Sequence, residues 1–125
     1  MFTGIVAELG EVAGIEDVLS LQAQADKIHV SPALKGYIAE IIAKTRSRKD
    51  ILLGISPRGA IFLMNAAKGS AFLAERDYAT PGDVQKMALP VLEHRLLLTP
   101  EARLKSASAA RIIAEIIDST PLPEA

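Results

Sequence analysis

The sequence has 125 residues, which is enough for one domain with a single hydrophobic core and too few for two ordinary domains. Half of the residues are hydrophobic but only 4% are aromatic, and this composition, rich in Ala, Leu and Ile, suits packed helices better than a β-sandwich. The net charge of −1 argues against nucleic acid as the main partner, and the absence of cysteine excludes disulfides, thiolate zinc sites and cysteine nucleophiles.

The first twelve residues, MFTGIVAELGEV, have a β-leaning pattern that differs from the helical patterns further along the chain. They resemble the opening residues of riboflavin synthase, but a dozen residues cannot form a barrel, and we infer no function from them. We predict that residues 1–14 form a disordered leader outside the domain, which occupies residues 15–123. No secretory signal and no run of roughly 18 apolar residues is present, so we expect a cytoplasmic protein without a membrane span.

Four dipeptides of Ser or Thr followed by Pro punctuate the rest of the chain, and each is typical of a helix start. The hydroxyl can accept a hydrogen bond from a free backbone N–H group, and Pro at the first helical position loses no hydrogen bond. Asp83 and Glu101 fall in the first turns that two of them open, where the helix dipole favours negative charge. The four are Ser31-Pro32, Ser56-Pro57, Thr80-Pro81 and Thr99-Pro100.

Apolar residues recur along the chain at the i, i+3, i+4, i+7 spacing of helices with one buried face. The pattern predicts five helices, over about 15–27, 32–48, 57–75, 81–97 and 101–118. Pro90 lies inside the fourth of them and should kink it or open its hydrogen bonding. We expect an all-α helical bundle whose core contains Leu34, Ile38, Ile41, Ile61, Met64, Phe72, Val84, Val91 and Ile113.

The sequence contains no recognisable catalytic apparatus of its own. It has no G-x-x-x-x-G-K-[ST] loop to hold phosphates, and no Ser, His and acidic trio can be singled out. The two histidines, His29 and His94, are far apart in the chain, with no partner at the spacing of a metal site. We therefore predict no catalytic residue and no metal site in this chain, and solvated or capping roles for both histidines.

Arg58 stands out among the charged residues, because it follows Ser56-Pro57 and should occupy the second position of a helix. A guanidinium there lies beside free N–H groups and the positive end of the helix dipole, an arrangement that suits a phosphate. The alternative is a surface arginine that only follows a common helix-start motif. On local physics alone, this alternative is the better supported of the two.

Several segments, in this order and at this spacing, resemble the lid of MoxR-type AAA+ ATPases over about residues 15–123. The most specific are G-x-S-P-R-[AG] at residues 54–59 and R-D-Y-x-T-P-x-D-V at residues 76–84. Magnesium-chelatase-like ATPases have similar lids, so the combination is more specific than either piece. The segments that carry the resemblance are residues 30–32, 37–38, 45–46, 53–60, 76–84, 91–95 and 121–123.

The resemblance implies a small domain that closes over ATP bound by a core domain and carries the sensor 2 arginine, which reaches the γ-phosphate. That role falls on Arg58. For Arg46, charge pairing at a helix C-terminus is the better-supported explanation, and a nucleotide-side or intersubunit contact is the alternative. The Walker motifs, sensor 1 and the arginine finger are missing here. We therefore expect the parent ATPase to bind ATP and Mg²⁺, and this chain alone to bind neither and to be no enzyme.

The partners that the resemblance implies are the AAA+ core domain, neighbouring subunits of a ring, and proteins with von Willebrand factor A domains, in a chaperone-like assembly. Two other functions stay open. A freestanding helical interaction module would share the fold but have no nucleotide role. A histone-like dimer would share the T-P-x-D-V helix start, but the near-neutral charge and the fifth helix argue against it. In every case Arg76 and Asp77, which precede a capped helix, are expected to brace a turn.

Overall fold

The computed structural model describes residues 14–123, so the predicted leader lies outside the described residues except for Gly14. Helices dominate this part of the chain, and the predicted all-α class is confirmed. The helices are α1 (Ile15–Asp26), α2 (Pro32–Thr45), α3 (Pro57–Leu73), α4 (Pro81–Leu92), α5 (Pro100–Leu104) and α6 (Ala109–Ser119). Two short strands, β1 (Ile51–Leu53) and β2 (Leu97–Leu98), pair antiparallel, and a 3₁₀ turn at Glu93–Arg95 follows α4. Within residues 14–123, no helix is both long and apolar enough to cross a membrane.

Three of the four predicted hydroxyl caps are confirmed. The side chains of Ser31, Thr80 and Thr99 each accept a hydrogen bond from the backbone N–H three residues further on. Ser56 has the same extended backbone in front of α3, but its side chain makes no capping bond, so the prediction is wrong there. The start of α3 therefore needs support from elsewhere in the fold.

Two residues in the left-handed conformation end helices earlier than the periodicity predicts. Glu75 (φ 62°) follows α3 and Ser106 (φ 60°) follows α5. At each, the N–H of this residue and the N–H of the next residue bond back to helix carbonyls in the Schellman pattern. Ser106 and the cap at Ser108 thus divide the predicted helix 101–118 into α5 and α6. Apolar spacing alone does not show these breaks, because neither position carries the usual glycine.

The two strands lie where the sequence predicts no strand. β1 lies in a predicted loop, and β2 lies at the end of the predicted helix 81–97. The predicted helix 81–97 ends at Leu92, and β2 begins five residues later. Leu98 pairs with Ile51 of β1, and the Thr99 N–H bonds to the Asp50 carbonyl. This pairing fixes the segment that leads into α3 against the segment that leads out of α4.

The core lies between α2, α3, α4 and α6. Leu34, Ile38, Ile41, Val84 and Ile113 are buried in it as predicted, while Met64 and Val91 pack against it partly buried. Leu63 is fully buried, whereas Ile61 is 55% exposed, so the inclusion of Ile61 in the core is wrong. Four consecutive apolar residues at 61–64 leave the buried face of α3 undecided by periodicity.

Phe72 is also misplaced in the predicted core. It is only partly buried and lines an open surface pocket with Ile28 and Tyr78 rather than the central cluster. The residues of α3 that face the core near its C-terminal end are instead Ala67 and Ala71. Such small residues let α4 approach α3 closely, and α3 and α4 form the most extensive helix pair of the described chain.

Candidate functional site

Arg58 occupies the second helical position of α3, as predicted, and its side chain is exposed. Within residues 14–123 its guanidinium has no hydrogen-bond or ion-pair partner. Pro57 supplies no N–H at the first position, and the first turn of α3 contains no acidic side chain. A 17-residue helix therefore directs its positive end toward solvent with one uncommitted cation beside it.

Thr45 ties the start of α3 to the end of α2. Its hydroxyl donates to the Ile42 carbonyl (2.6 Å) and accepts from the Ile55 N–H (3.0 Å), and the side chain is buried. Gly54 lies so close that an added Cβ would be 2.7 Å from the Thr45 carbonyl oxygen and 2.9 Å from Arg46 Cγ. A side chain at position 54 would collide with the backbone, so glycine is needed there.

Arg46 is the C-terminal cap residue of α2, and it is exposed. The packing of its Cγ atom near Gly54 places it beside the connection that leads into Arg58. The sequence pointed to both arginines, but it did not indicate that Arg46 packs beside the segment that leads into Arg58. It also missed Thr45 as the link, because a hydrogen bond between residues ten positions apart leaves no periodic signal in a sequence.

Asp83 is the most heavily bonded side chain of the R-D-Y-x-T-P-x-D-V segment, and it is only 3% exposed. Its carboxylate accepts both Arg76 Nη atoms (2.8 Å each), the Ser70 hydroxyl (2.8 Å), and the backbone N–H (2.8 Å) and hydroxyl (3.0 Å) of Thr80. We call these four residues the Asp83 hub. The predicted bracing role of Arg76 is confirmed.

The electrostatics of the Asp83 hub favour the ionised carboxylate. Burial acts to raise the pKa of Asp83, but the hydrogen bonds from Arg76, Thr80 and Ser70 outweigh it and hold that pKa well below its usual range. The same pairing raises the pKa of Arg76. The hub joins α3, the turn before α4 and α4 itself, so its role is to hold the fold.

The remaining polar candidates are not gathered into a site. His29 and His94 are exposed, and the backbone of His29 pairs with residues 77 and 79 in an isolated bridge. In the described part of the chain, no cluster of three or more His, Cys, Asp or Glu side chains could hold a metal ion. Arg95 stacks over the Phe62 ring (4.5 Å to its centroid), a contact that the sequence did not indicate.

Comparison with known proteins connects this geometry to a family. The AAA lid domain family matches residues 43–116, which include Arg46, Arg58 and the Asp83 hub. The Bacillus subtilis protein YeaC is 39% identical over 118 residues, covering 94% of this chain and 37% of its own length. Chaperone MoxR1 of Mycobacterium tuberculosis is 29% identical over 91% of this chain and 33% of its own length.

Protein MoxR of Paracoccus denitrificans is 30% identical over 98% of this chain and 41% of its own length. Among solved structures, a Cytophaga hutchinsonii protein assigned as an ATPase superposes with a TM-score of 0.82 at 32% identity, covering 87% of this chain and 36% of the other. The chain thus spans between a third and about two fifths of each of these relatives. It belongs to the AAA lid domain family, as the lid of a MoxR-type AAA+ ATPase.

Proposed function

We propose that this lid closes over ATP bound by a core domain of the same ATPase, and that Arg58 contacts the γ-phosphate as the sensor 2 residue. The observation that carries the proposal is the uncommitted guanidinium at the exposed start of α3. A phosphate there would meet the guanidinium and the positive end of the helix dipole together.

The contrast with other arginines of the domain supports this assignment. Arg76 and Arg48 are each committed to a carboxylate at hydrogen-bond distance, and Arg95 stacks on an aromatic ring. Arg58 instead follows the rigid Pro57, and the next residue, Gly59, packs against the Ile55 side chain. A side chain that makes no hydrogen bond or ion pair among residues 14–123, but follows a rigid Pro, suits recognition of a ligand supplied from outside the domain.

Arg46 is the second candidate at this site, for a nucleotide-side or intersubunit contact. It is exposed and packs beside Gly54, four residues before Arg58. ATP and Mg²⁺ would be held by the core domain, and the lid would add cations to the phosphate side only. Charge on the transferring phosphoryl group is what such cations stabilise.

The partners in this proposal are the core domain, neighbouring subunits of a ring, and proteins with von Willebrand factor A domains, in a chaperone-like assembly in the cytoplasm. The chain alone would hydrolyse no ATP and bind it weakly at best. One arginine supplies a charge-assisted contact of roughly 1.5–3 kcal/mol. Even millimolar affinity needs roughly 4 kcal/mol. Turnover by a preparation of this chain alone would contradict this part of the proposal.

The sensor role is tested by steady-state ATP hydrolysis in the full-length ATPase that carries this lid. We expect Arg58→Ala to lower turnover by about 10–10³-fold, because the transition state loses a positioned cation. Arg58→Lys should restore little, since an ammonium cannot reproduce the planar fork of the guanidinium. Melting temperatures should stay unchanged, because Arg58 is exposed and Ala is a good helix former.

Arg111→Ala is a matched control. Arg111 is also an exposed arginine in the first turn of a helix, α6, and its side chain has no partner among residues 14–123. It should hydrolyse ATP at the wild-type rate. Wild-type turnover in Arg58→Ala would exclude the sensor role, and equal losses in both variants would point to a general effect of surface charge. Lost turnover with a collapsed melting temperature would make Arg58 structural.

A further inference from the structure

We propose that Thr45 is a positioning residue for Arg58 and Arg46: its hydroxyl fixes the turn that carries Arg58 to the helix end that carries Arg46. This inference rests on the proposed function of Arg58. It concerns a residue that touches no nucleotide itself and acts only through the two arginines.

The first support is the bonding of the Thr45 side chain. The side chain is 1% exposed and sits in the last position of α2, so its hydroxyl has no access to water. It donates to Ile42 O and accepts from Ile55 N–H, which uses the hydroxyl as both donor and acceptor. Through its bond to Ile55, the Thr45 side chain of α2 holds the backbone immediately in front of residues 56–58.

The second support is the packing around that bond. Gly54 lies directly against the Thr45 carbonyl, and Ile55 is buried beneath the first turn of α3. Gly59, one residue after Arg58, is buried so close to the Ile55 side chain that any Cβ atom there would overlap it. The backbone that follows Arg58 therefore packs against the Ile55 side chain, and the Ile55 N–H donates to the Thr45 hydroxyl.

The third support is the missing cap. Ser31, Thr80 and Thr99 fix their helix starts with their own hydroxyls, whereas Ser56 does not. At the start of α3, the backbone is held instead by Thr45 at the end of α2. Because Arg46 directly follows Thr45, the same bond ties the two arginines to one backbone unit, and they keep a fixed spacing when the lid moves.

The test uses Thr45→Val, which keeps the shape of the side chain but removes the hydroxyl, in the full-length ATPase. We expect turnover to fall by about tenfold, since small displacements of a positioned group have large effects on rate. Thr45→Ser should restore most of the loss, because it keeps the hydroxyl. In the Arg58→Ala background, Thr45→Val should cause no further loss of turnover, as expected for a residue that acts through Arg58.

Thr120→Val is the matched control, because Thr120 is also a buried threonine whose hydroxyl donates to a helix carbonyl, that of Ile116. It should leave turnover unchanged. A second readout is amide hydrogen exchange at Ile55 in this chain, which should become at least about tenfold faster in Thr45→Val but not in Thr120→Val. This readout does not depend on catalysis.

The outcomes separate the two proposals. Wild-type turnover in Arg58→Ala would overturn the sensor role and this inference with it. A loss in Arg58→Ala with wild-type turnover in Thr45→Val would overturn the inference alone. Additive losses in the double variant, or an equal loss in Thr120→Val, would show that Thr45 supports the fold in general and does not position Arg58.

Discussion

The two ends of α3 differ in their chemistry. At the C-terminal end, Ser70 of α3 meets Arg76, Thr80 and Asp83 in a hub where every charge and hydroxyl has a partner. At the N-terminal end, about 18 Å away along the helix, Arg58 has no partner within the described chain, and Ser56 leaves its helix uncapped. One end stabilises the fold, and the other presents a cation to solvent.

This difference distinguishes an arginine that is bonded to the fold, Arg76, from one that has no partner within the described residues, Arg58. A partly exposed arginine that binds a buried carboxylate in a bidentate manner, as Arg76 binds Asp83, contributes to stability. An exposed arginine without a partner, such as Arg58, should contribute little to stability.

The largest effect on stability should come from Asp83→Asn, in the Asp83 hub. Asn offers one acceptor oxygen, whereas Asp83 accepts five hydrogen bonds on its two oxygens. The amide NH₂ would face donors of Arg76 or Thr80, which leaves partly buried donors without partners. We expect a loss of about 3 kcal/mol in the free energy of unfolding, measured by chemical denaturation of this chain.

Asp50→Asn is the control for that prediction. Asp50 also pairs with an arginine, Arg48, by two short hydrogen bonds, but the carboxylate is about a third exposed. A solvated pair of this kind contributes at most about 1 kcal/mol. Equal losses in the two variants would show that the Asp83 hub has no special weight in the fold.

The next largest effect should come from acid, which should weaken the Asp83 hub. The pKa of Asp83 is lower in the folded chain than in the unfolded chain, where it lies near 3.9. Below about pH 5 the unfolded state therefore binds more protons than the folded state, and stability falls as the pH falls. The contribution of Asp83 is complete at neutral pH. Unfolding free energies from pH 7 to pH 3 should fall more steeply for wild type than for Asp83→Asn, and parallel curves would contradict this.

Much of the fold follows from local sequence signals. Ser31, Thr80 and Thr99 cap helices where their dipeptides predict, and the apolar stripe of α2 faces the core residue by residue. The errors arise where local signals are ambiguous. Ile61 lies in a continuous apolar run, so its face is decided by tertiary packing, and the break at Ser106 needs a backbone conformation that serine rarely adopts.

The candidate site was predictable only in part. The position of Arg58 follows from Ser56-Pro57, but its lack of a partner depends on which residues surround it in three dimensions. The Asp83 hub could be anticipated from the capping-box spacing of Thr80 and Asp83, though the contribution of Ser70, thirteen residues away, could not. Long-range hydrogen bonds such as that of Thr45 leave no trace in the spacing of residues.

The smallest expected effects compare the start of α4, at Thr80, with the start of α3, at Ser56. Thr80→Ala removes a hydroxyl that accepts from the Asp83 N–H and donates to the Asp83 carboxylate, so the free energy of unfolding should fall by about 1–2 kcal/mol. Ser56→Ala removes a hydroxyl that makes no capping bond and is exposed, so its effect should stay within about 0.5 kcal/mol. Denaturation of both variants of this chain under identical conditions measures the difference. A loss in Ser56→Ala as large as that in Thr80→Ala would mean that Ser56 does cap α3 in solution. The start of α3 would then hold itself in place, and the restraint that we assign to Thr45 would be unnecessary.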